Sequence, residues 1–155
     1  MSAALANVEE RLKSVDVTKL VEYTRKIKDI GSLNKMMAPL YLRDFILAYD
    51  VCNTMLSHAM RCNIDAQTAL DTARAVAYLD KSSDYLKARD IKDTSEARKQ
   101  YIDVDEDVIA ASNVKAKTEA LVSFLKNKMQ EFRLAHDDVK KIAYGEQYMS
   151  PVEGF

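Results

Sequence analysis

Two histidines and two cysteines are the residues of this chain best suited to metal binding or nucleophilic catalysis. His58 and Cys62 are one helical turn apart, and Cys52 lies further back on the same stretch. Zinc takes three or four such ligands, and no second pair at a metal-binding spacing accompanies them. His136 precedes two aspartates, but no nucleophile lies at a spacing that would couple to it. We therefore interpret the cysteines as small core residues and expect no enzyme activity, metal or cofactor.

A run of acidic residues is the second candidate for a metal site. Its members are Asp103, Asp105, Glu106 and Asp107. An EF-hand loop requires a glycine at its sixth position, and a phosphate-binding loop requires several glycines together. The three glycines of the chain are isolated, which excludes both. The run lies where a long helix is expected to begin, so we predict that it caps free amides and offsets the helix dipole.

Basic residues are concentrated in three stretches. Six cations face two carboxylates between residues 11 and 28, and four cations face one carboxylate between residues 115 and 128. In the third stretch the tyrosines Tyr78, Tyr85 and Tyr101 alternate with cations. These cations are Lys81, Lys87, Arg89, Lys92, Arg98 and Lys99. Cations follow a phosphate backbone while aromatic rings stack on bases, as in single-stranded nucleic-acid binding. The alternative is a solvated helix face, which is the commoner cause of such charge patterns.

The elements that must position these residues are all predicted to be helices. Glycine and proline together occupy only five of 155 positions, and 48% of the residues are hydrophobic. A chain of this composition favours one helical domain with a sizeable core. Polar caps and apolar periodicity divide it into six helices. Their expected bounds are 3–14, from Asp16 or Thr18 to Gly31, 39–62, 66–89, 94–102 and 104–144.

Several local signals define these bounds. Pro39 is tolerated in a first helical turn, and the helix that follows is apolar all round, as is typical of a helix buried centrally or enclosed by partner chains. Asn63 and Asp65 are expected to break that helix. Asp93 with Glu96 resembles a capping box before the fifth helix. Gly145 is expected to end the last one.

The last helix is the longest element, at about 60 Å. Its apolar residues recur in steps of three and four, which is typical of a coiled-coil seam. It is expected to pack against the helices at 39–62 and 66–89. One interpretation is a core helix of a single bundle, and the other is a helix through which copies of the chain associate. The residues selected for self-association are Val122, Leu125, Met129, Phe132 and Val139.

Charge and composition restrict the compartment and the partners. The formal net charge is −1, so a nucleic acid would be bound by a local patch, or by a patch repeated in an oligomer. No apolar run reaches the roughly 18 residues of a membrane-spanning helix. Two cysteines without a signal peptide indicate reduced thiols and a cytoplasmic location. We expect a single domain, with N-terminal helices over 1–63, a second helical region over 64–145 and a flexible tail over 146–155.

The order of features from about residue 65 to residue 145 resembles the phage UvsY-type recombination mediators. Residues 72–78, Thr-Ala-Arg-Ala-Val-Ala-Tyr, are similar to that family's basic, tyrosine-containing segment. Residues 101–108, Tyr-Ile-Asp-Val-Asp-Glu-Asp-Val, resemble the entry to its long helix, and residues 135–142 resemble the end of that helix. The resemblance covers rather more than half of the chain and does not include the first 60 residues.

The basic element of that family, a lysine, an alanine and an arginine in a row, has two possible positions here. Keeping its distance from the acidic run places Thr72 where the lysine would be and leaves Arg74 as the only cation. The residues Lys87, Ala88 and Arg89 match the element fully, but this placement shortens the following connection by over a dozen residues. Both placements remain open.

Members of this family assemble as rings, bind single-stranded DNA, loosen the single-strand-binding protein and help to load a RecA-like recombinase. The resemblance implies a non-catalytic, homo-oligomeric mediator of DNA recombination and repair in the cytoplasm of a phage-infected host. The residues selected as DNA contacts are Arg74, Tyr78, Lys81, Tyr85, Lys87 and Arg89. The alternative is a phage structural or adaptor helical bundle that acts only through protein–protein contacts.

Overall fold

The computed structural model describes residues 3–145, and the chain is all α-helical over that range, with no strand. The α-helices are α1 (Ala3–Lys13), α2 (Val21–Lys28), α3 (Ala38–Val76), α4 (Ser82–Ala88), α5 (Ser95–Val104) and α6 (Glu106–Tyr144). Short 3-10 turns occupy Val17–Leu20 and Ile30–Ser32, and a π-helical turn, Ala77–Lys81, joins α3 to α4. The prediction of an all-α fold with a long final helix is confirmed. None of the described helices has the length and apolarity needed to cross a membrane.

Short-range signals predicted several helix ends correctly. Pro39 lies in the first turn of α3, where its missing N–H costs nothing. Asp16 accepts a hydrogen bond from the Thr18 N–H at 3.0 Å and caps the first 3-10 turn. Gly145 follows α6 with φ +82°, a conformation that favours glycine, and its N–H donates to the Lys141 carbonyl at 2.8 Å.

The predicted helix break at Asn63 and Asp65 is wrong, because α3 continues through both residues. Neither is a glycine or a proline, so neither prevents helical backbone geometry. Their side chains make tertiary contacts instead. The Asn63 Oδ1 accepts hydrogen bonds at 2.8 Å from both Thr118 Oγ1 and Lys115 Nζ on α6. Asp65 pairs with Arg11 of α1 at 2.6 Å.

Other bounds also differ from the prediction, and the helix expected over 66–89 is divided among the end of α3, the π-helical turn and α4. The cap of α5 is Thr94, whose Oγ1 accepts from the Ala97 N–H at 3.1 Å, while Asp93 pairs with Arg98 instead. The final helix begins at Glu106 rather than Val104, because α5 extends to Val104 and Asp105 separates the two helices. Shifts of one or two residues arise because neighbouring Asp and Thr side chains are all competent caps.

The described residues form two compact units, each assembled from segments that are distant in sequence. The first comprises 3–15 and 58–122, and the second comprises 16–57 and 123–145. The long helices α3 and α6 therefore each contribute one segment to each unit. The division of the chain at residues 63 and 64 stays a prediction.

Each unit has its own core. In the first, Leu5 and Val8 of α1 pack on α3 and α6 residues, which are Cys62, Ala66, Leu70, Val108, Ala111 and Val114, together with Ala77 of the π-helical turn. In the second, the rings of Phe45 and Phe132 stack with centroids 6.4 Å apart, and the Cys52 Sγ donates to the Leu125 carbonyl at 3.3 Å. The predicted packing of the final helix on α3 is confirmed within both units.

The α3 segment at 39–62 is buried on one side only. Phe45 and Cys52 are fully buried, whereas Leu40, Ile46 and Leu47 are exposed. Its all-round apolarity therefore does not reflect central burial within the described residues. Exposed apolar residues on a helix are available to a partner protein.

α4 ends in a left-handed residue that is not glycine. Asp90 has φ +54°, its N–H donates to the Lys87 carbonyl at 3.2 Å, and the Ile91 N–H donates to the Leu86 carbonyl at 3.0 Å. This pair of hydrogen bonds defines a Schellman motif, in which glycine is the usual left-handed residue. The turn reverses the chain and brings α5 back against α4.

We expect Asp90→Gly to increase the free energy of unfolding by up to about 1 kcal/mol, because glycine adopts this backbone conformation without steric cost. Asp90→Val should lower it by about 1–2 kcal/mol. Urea unfolding measures both. Asp84→Gly, inside α4, is the control and should destabilise by about 1 kcal/mol. Equal losses from glycine at both positions would contradict a left-handed Asp90.

Candidate nucleic-acid interface

The candidate site is built from the π-helical turn, α4 and α5, which pack on one another in the first unit. A π-helical turn leaves some carbonyls poorly placed, and here the Ser82 hydroxyl donates to the Tyr78 carbonyl at 2.7 Å. Such turns are rare and often occur at functional sites. The turn and the two short helices bring the tyrosines and cations of the third basic stretch close together.

The centre of the site is a column of three planar groups. The Arg89 guanidinium lies 3.8 Å from the centroid of the Tyr85 ring, and the rings of Tyr85 and Tyr101 have centroids 4.5 Å apart. Arg89 is exposed and both tyrosines are half-buried. The three groups, hereafter the Arg89–Tyr85–Tyr101 column, place a cation above the Tyr85 ring, against which the Tyr101 ring is tilted by 44°. Exposed planar groups of this kind are suited to stacking on nucleobases.

A second arginine–tyrosine pair joins α5 to the π-helical turn. The Arg98 guanidinium is 5.7 Å from the Tyr78 ring centroid and donates to Asp93 through Nε at 2.6 Å and Nη2 at 2.7 Å. Its bond to Asp93 lowers the pKa of that carboxyl below its ordinary value. The bidentate pair fixes the start of α5, and Asp93 also accepts a hydrogen bond from Ser83 Oγ of α4 at 3.2 Å. Arg98 therefore has a structural role and its charge is already neutralised.

Asp105 anchors the junction between α5 and α6. It is buried, and its carboxylate accepts hydrogen bonds from Lys81 Nζ at 3.1 Å, Tyr101 OH at 2.9 Å, and the Asp107 and Val108 N–H groups at 3.1 Å each. Burial opposes ionisation of Asp105, but the hydrogen bonds from Tyr101, Lys81 and Val108 outweigh it and hold its pKa below the ordinary value. The predicted capping role of the acidic run is therefore confirmed at this residue.

The six predicted DNA-contact residues fall into four groups. Arg89 and Tyr85 belong to the column, while Arg74 and Lys87 are exposed and form no ion pair with any described residue. Tyr78 lies under Arg98, with its hydroxyl 3.4 Å from the Ser95 Oγ. Lys81 is bound to Asp105 and, at 2.6 Å, to Asp107, so it is not a free cation.

Most of the five residues selected for self-association are buried in the core that the chain forms by itself. Leu125, Phe132 and Val139 are fully buried in the core of the second unit, and Val122 and Met129 are half-buried. Their apolar periodicity is accounted for by packing within the chain. A second copy that contacts α6 would meet other side chains, such as the exposed residues Phe124 and Leu134.

The histidine and cysteine candidates show no catalytic geometry. The His58 Nε2 is 3.2 Å from the Arg11 carbonyl, and Cys52 and Cys62 are both buried and free. Burial raises the pKa of both thiols, which keeps them protonated and unreactive. No group of three or more metal-binding side chains occurs in residues 3–145.

Charge is distributed unevenly between the two units. The first contains 12 Lys and Arg against 14 Asp and Glu, and the second contains 11 against 8 within residues 16–57 and 123–145. DNA bound at the column would therefore be held by local cations against a slightly negative background.

Two features of the surface were missed from the sequence. Tyr101 was grouped with the other tyrosines but not selected, because its contact with Tyr85 depends on the turn at Asp90. Three cations of α6, Lys126, Arg133 and Lys140, were not recognised as a set. Their spacing of seven residues is the signal that predicts a common helix face.

Comparisons with protein-family models, with curated proteins and with solved structures find no match to this chain. Its function is therefore inferred from the chemistry of its own surface.

Proposed function

We propose that this protein is a non-catalytic mediator of DNA recombination that binds single-stranded DNA through the Arg89–Tyr85–Tyr101 column. The observation that carries this proposal is the column itself, because a guanidinium 3.8 Å above a tyrosine ring is a ready stacking surface for bases. The exposed cations Arg74 and Lys87 are suited to phosphate contacts. The proposed location is the cytoplasm of a phage-infected host.

In this proposal the protein acts by binding and displacement. Bases that stack on the column are unavailable to single-strand-binding protein, and the freed strand is passed to a RecA-like recombinase. Affinity per copy is modest, because the first unit carries slightly more carboxylates than cations. A homo-oligomer, such as a ring, repeats the column and multiplies the effective affinity without any new contact.

Substitutions in the column should weaken binding to a fluorescein-labelled oligothymidylate. We expect Tyr85→Leu to cost about 1–3 kcal/mol, because the column loses the ring that supports Arg89 and Tyr101 for base stacking. Arg89→Ala should also weaken binding, because the column loses its guanidinium. Lys87→Ala should reduce the slope of log affinity against log salt by about 0.7, because one phosphate contact is lost. Fluorescence anisotropy over a range of salt concentrations measures these effects, and circular dichroism shows whether the helices are intact.

Lys28→Ala is the matched control for the charge change, since Lys28 is exposed at the end of α2 in the second unit. This variant should bind the oligothymidylate with an affinity within about twofold of the parent's, as expected when the substituted cation makes no phosphate contact. If the parent protein binds no oligonucleotide at low salt, where phosphate contacts are strongest, the proposal is overturned. The same holds if folded Tyr85→Leu and Arg89→Ala variants bind as the parent does.

One observation favours the second candidate, a structural or adaptor protein that acts only through protein contacts. Leu40, Ile46 and Leu47 of α3 are exposed large apolar residues, and such residues mark protein–protein surfaces when they are clustered. This candidate predicts indifference to oligonucleotides at every salt concentration. The oligothymidylate titration therefore separates the two.

A further inference from the structure

The second unit carries a line of unpaired cations that the proposed function does not use. Lys126, Arg133 and Lys140 are exposed on α6 at intervals of seven residues, so they share one face at a spacing of about 10.5 Å. No described carboxylate lies within ion-pair distance of any of them. On the same helix, Lys128 pairs with Glu131 at 2.6 Å and Lys141 with Asp138 at 3.0 Å. The cations of α6 are thus divided into a neutralised set and this free line.

A small apolar pocket lies beside the middle cation. Its volume is about 140 Å³, and it is lined by Phe45, Ile46, Tyr49, Phe132, Arg133 and His136. This is well below the roughly 300–1,000 Å³ of small-molecule pockets, and it suits one aromatic or branched aliphatic side chain. Ile46 and Tyr49 are 52% and 38% exposed, so apolar surface at its rim remains in contact with solvent.

We propose that the line of cations and the pocket together bind an acidic peptide segment of a partner protein. One aromatic or branched aliphatic side chain of the segment fills the pocket, and its carboxylates pair with Lys126, Arg133 and Lys140. A chain in the polyproline II conformation has three residues per turn and rises about 3.1 Å per residue, so carboxylates three residues apart lie on one side at a spacing of about 9.3 Å, close to that of the cations. The excess of cations in the second unit, 11 against 8 carboxylates, attracts such a segment from solution.

The lining of the pocket favours a peptide over a nucleic acid. The side chains of Arg133, His136 and Tyr49 carry its only polar groups, and Phe45, Ile46 and Phe132 present wholly apolar surface. The edges of a base need hydrogen-bond partners when they are buried, and such a wall offers few. An aromatic or aliphatic side chain needs none. This inference is independent of DNA binding at the column.

The test is direct binding of a synthetic peptide to the full-length protein by fluorescence anisotropy. The probe is a fluorescein-labelled Asp-Ser-Ser-Asp-Phe-Ser-Asp-Ser-Ser, which places three carboxylates at intervals of three residues beside one phenylalanine. Two companion peptides replace the phenylalanine by serine or the aspartates by lysine. We expect the first companion to bind several-fold more weakly and the second not to bind.

Variants then assign the site. Arg133→Glu should weaken binding of the acidic peptide about tenfold, because the substitution replaces an ion pair by a repulsion between like charges. Ile46→Ser should weaken it about fivefold through loss of apolar contact at the pocket rim. Both side chains are exposed, so folding is retained. The matched controls are Lys141→Ala, a paired cation of the same helix, and Leu40→Ser, an exposed leucine outside the pocket, and both should bind as the parent does.

Three results would overturn the inference. The first is no binding of the acidic peptide at low salt. The second is equal binding of the peptide that lacks phenylalanine, which would show that the pocket is not used. The third is a loss of oligothymidylate binding in Arg133→Glu without any effect on the peptide, which would assign this surface to nucleic acid.

Discussion

Phe132→Ala should lower the free energy of unfolding by about 3–5 kcal/mol, the largest effect that we expect from a single substitution in this chain. The Phe132 ring is 0% exposed, stacks on Phe45 and meets the edge of Tyr23 at a centroid distance of 6.3 Å. Removing it leaves a cavity between α2, α3 and α6 in the core of the second unit. Urea unfolding followed by circular dichroism measures the loss.

Phe124→Ala is the matched control on the same helix. Phe124 is 40% exposed, so its removal should cost less than about 1 kcal/mol, as for most surface substitutions. The unfolding of both variants should be measured at two protein concentrations. If the cost of Phe132→Ala depends on concentration, Phe132 stabilises an assembly, as its selection for self-association supposed. If the cost is independent of concentration, Phe132 stabilises the single chain, which is the result that we expect.

Asp105→Ala should have the second largest effect, a loss of about 2–4 kcal/mol. The substitution removes the cap of α6 and leaves Lys81 Nζ and Tyr101 OH without their shared acceptor. The expected loss of stability is smaller than for a fully buried ion pair, because the Lys81 side chain is 36% exposed. Asp103→Ala, an exposed member of the same acidic run, is the control and should be nearly neutral.

The stability lost in Asp105→Ala should also depend on pH in a defined direction. Burial opposes ionisation of Asp105, yet its hydrogen bonds hold the pKa below the ordinary value, which is about 3.9 in an unfolded chain. A group with a lowered folded pKa stabilises the protein above its unfolded pKa and ceases to do so as the pH falls through the folded pKa. The parent should therefore lose stability below about pH 4, and Asp105→Ala should lose less over the same interval.

Unfolding midpoints at pH 7 and at pH 3 measure this dependence. Asp103→Ala should follow the parent at both. A parent–variant difference that is the same at the two pH values would mean that the hydrogen bonds at Asp105 do not favour its charged form.

Local chemistry explains why much of the fold could be predicted from the sequence. Scarce glycine and proline, together with apolar steps of three and four, predicted helices throughout. The end of α6 at Gly145 and the capping function of the acidic run depend on backbone groups within a few residues. Both could therefore be predicted from the sequence. The break predicted at Asn63 failed because its polar side chain is satisfied by Thr118 on another helix. A single sequence does not display such a partner.

The candidate site was predictable only in part, for the same reason. The alternation of tyrosines and cations indicated the region, but nothing in it distinguishes the exposed Lys87 from Lys81, which two aspartates neutralise. The Arg89–Tyr85–Tyr101 column depends on the left-handed turn at Asp90 that folds α5 onto α4. The line of cations on α6 was present as a seven-residue spacing. Whether these cations form ion pairs depends on the positions of the carboxylates in the second unit, and those positions are set by the tertiary structure.

The sequence by itself determined that this chain is helical, where several of its helices begin or end, and which residues could serve as caps, core or cations. These properties follow from interactions between residues at most a few positions apart. Only the tertiary structure decided which of several equivalent side chains are used: which lysines are neutralised, which tyrosines pack against each other, and that Leu125, Phe132 and Val139 face the chain's own core. Those choices depend on contacts between residues far apart in sequence, and burial and ion pairing are defined only once such contacts exist.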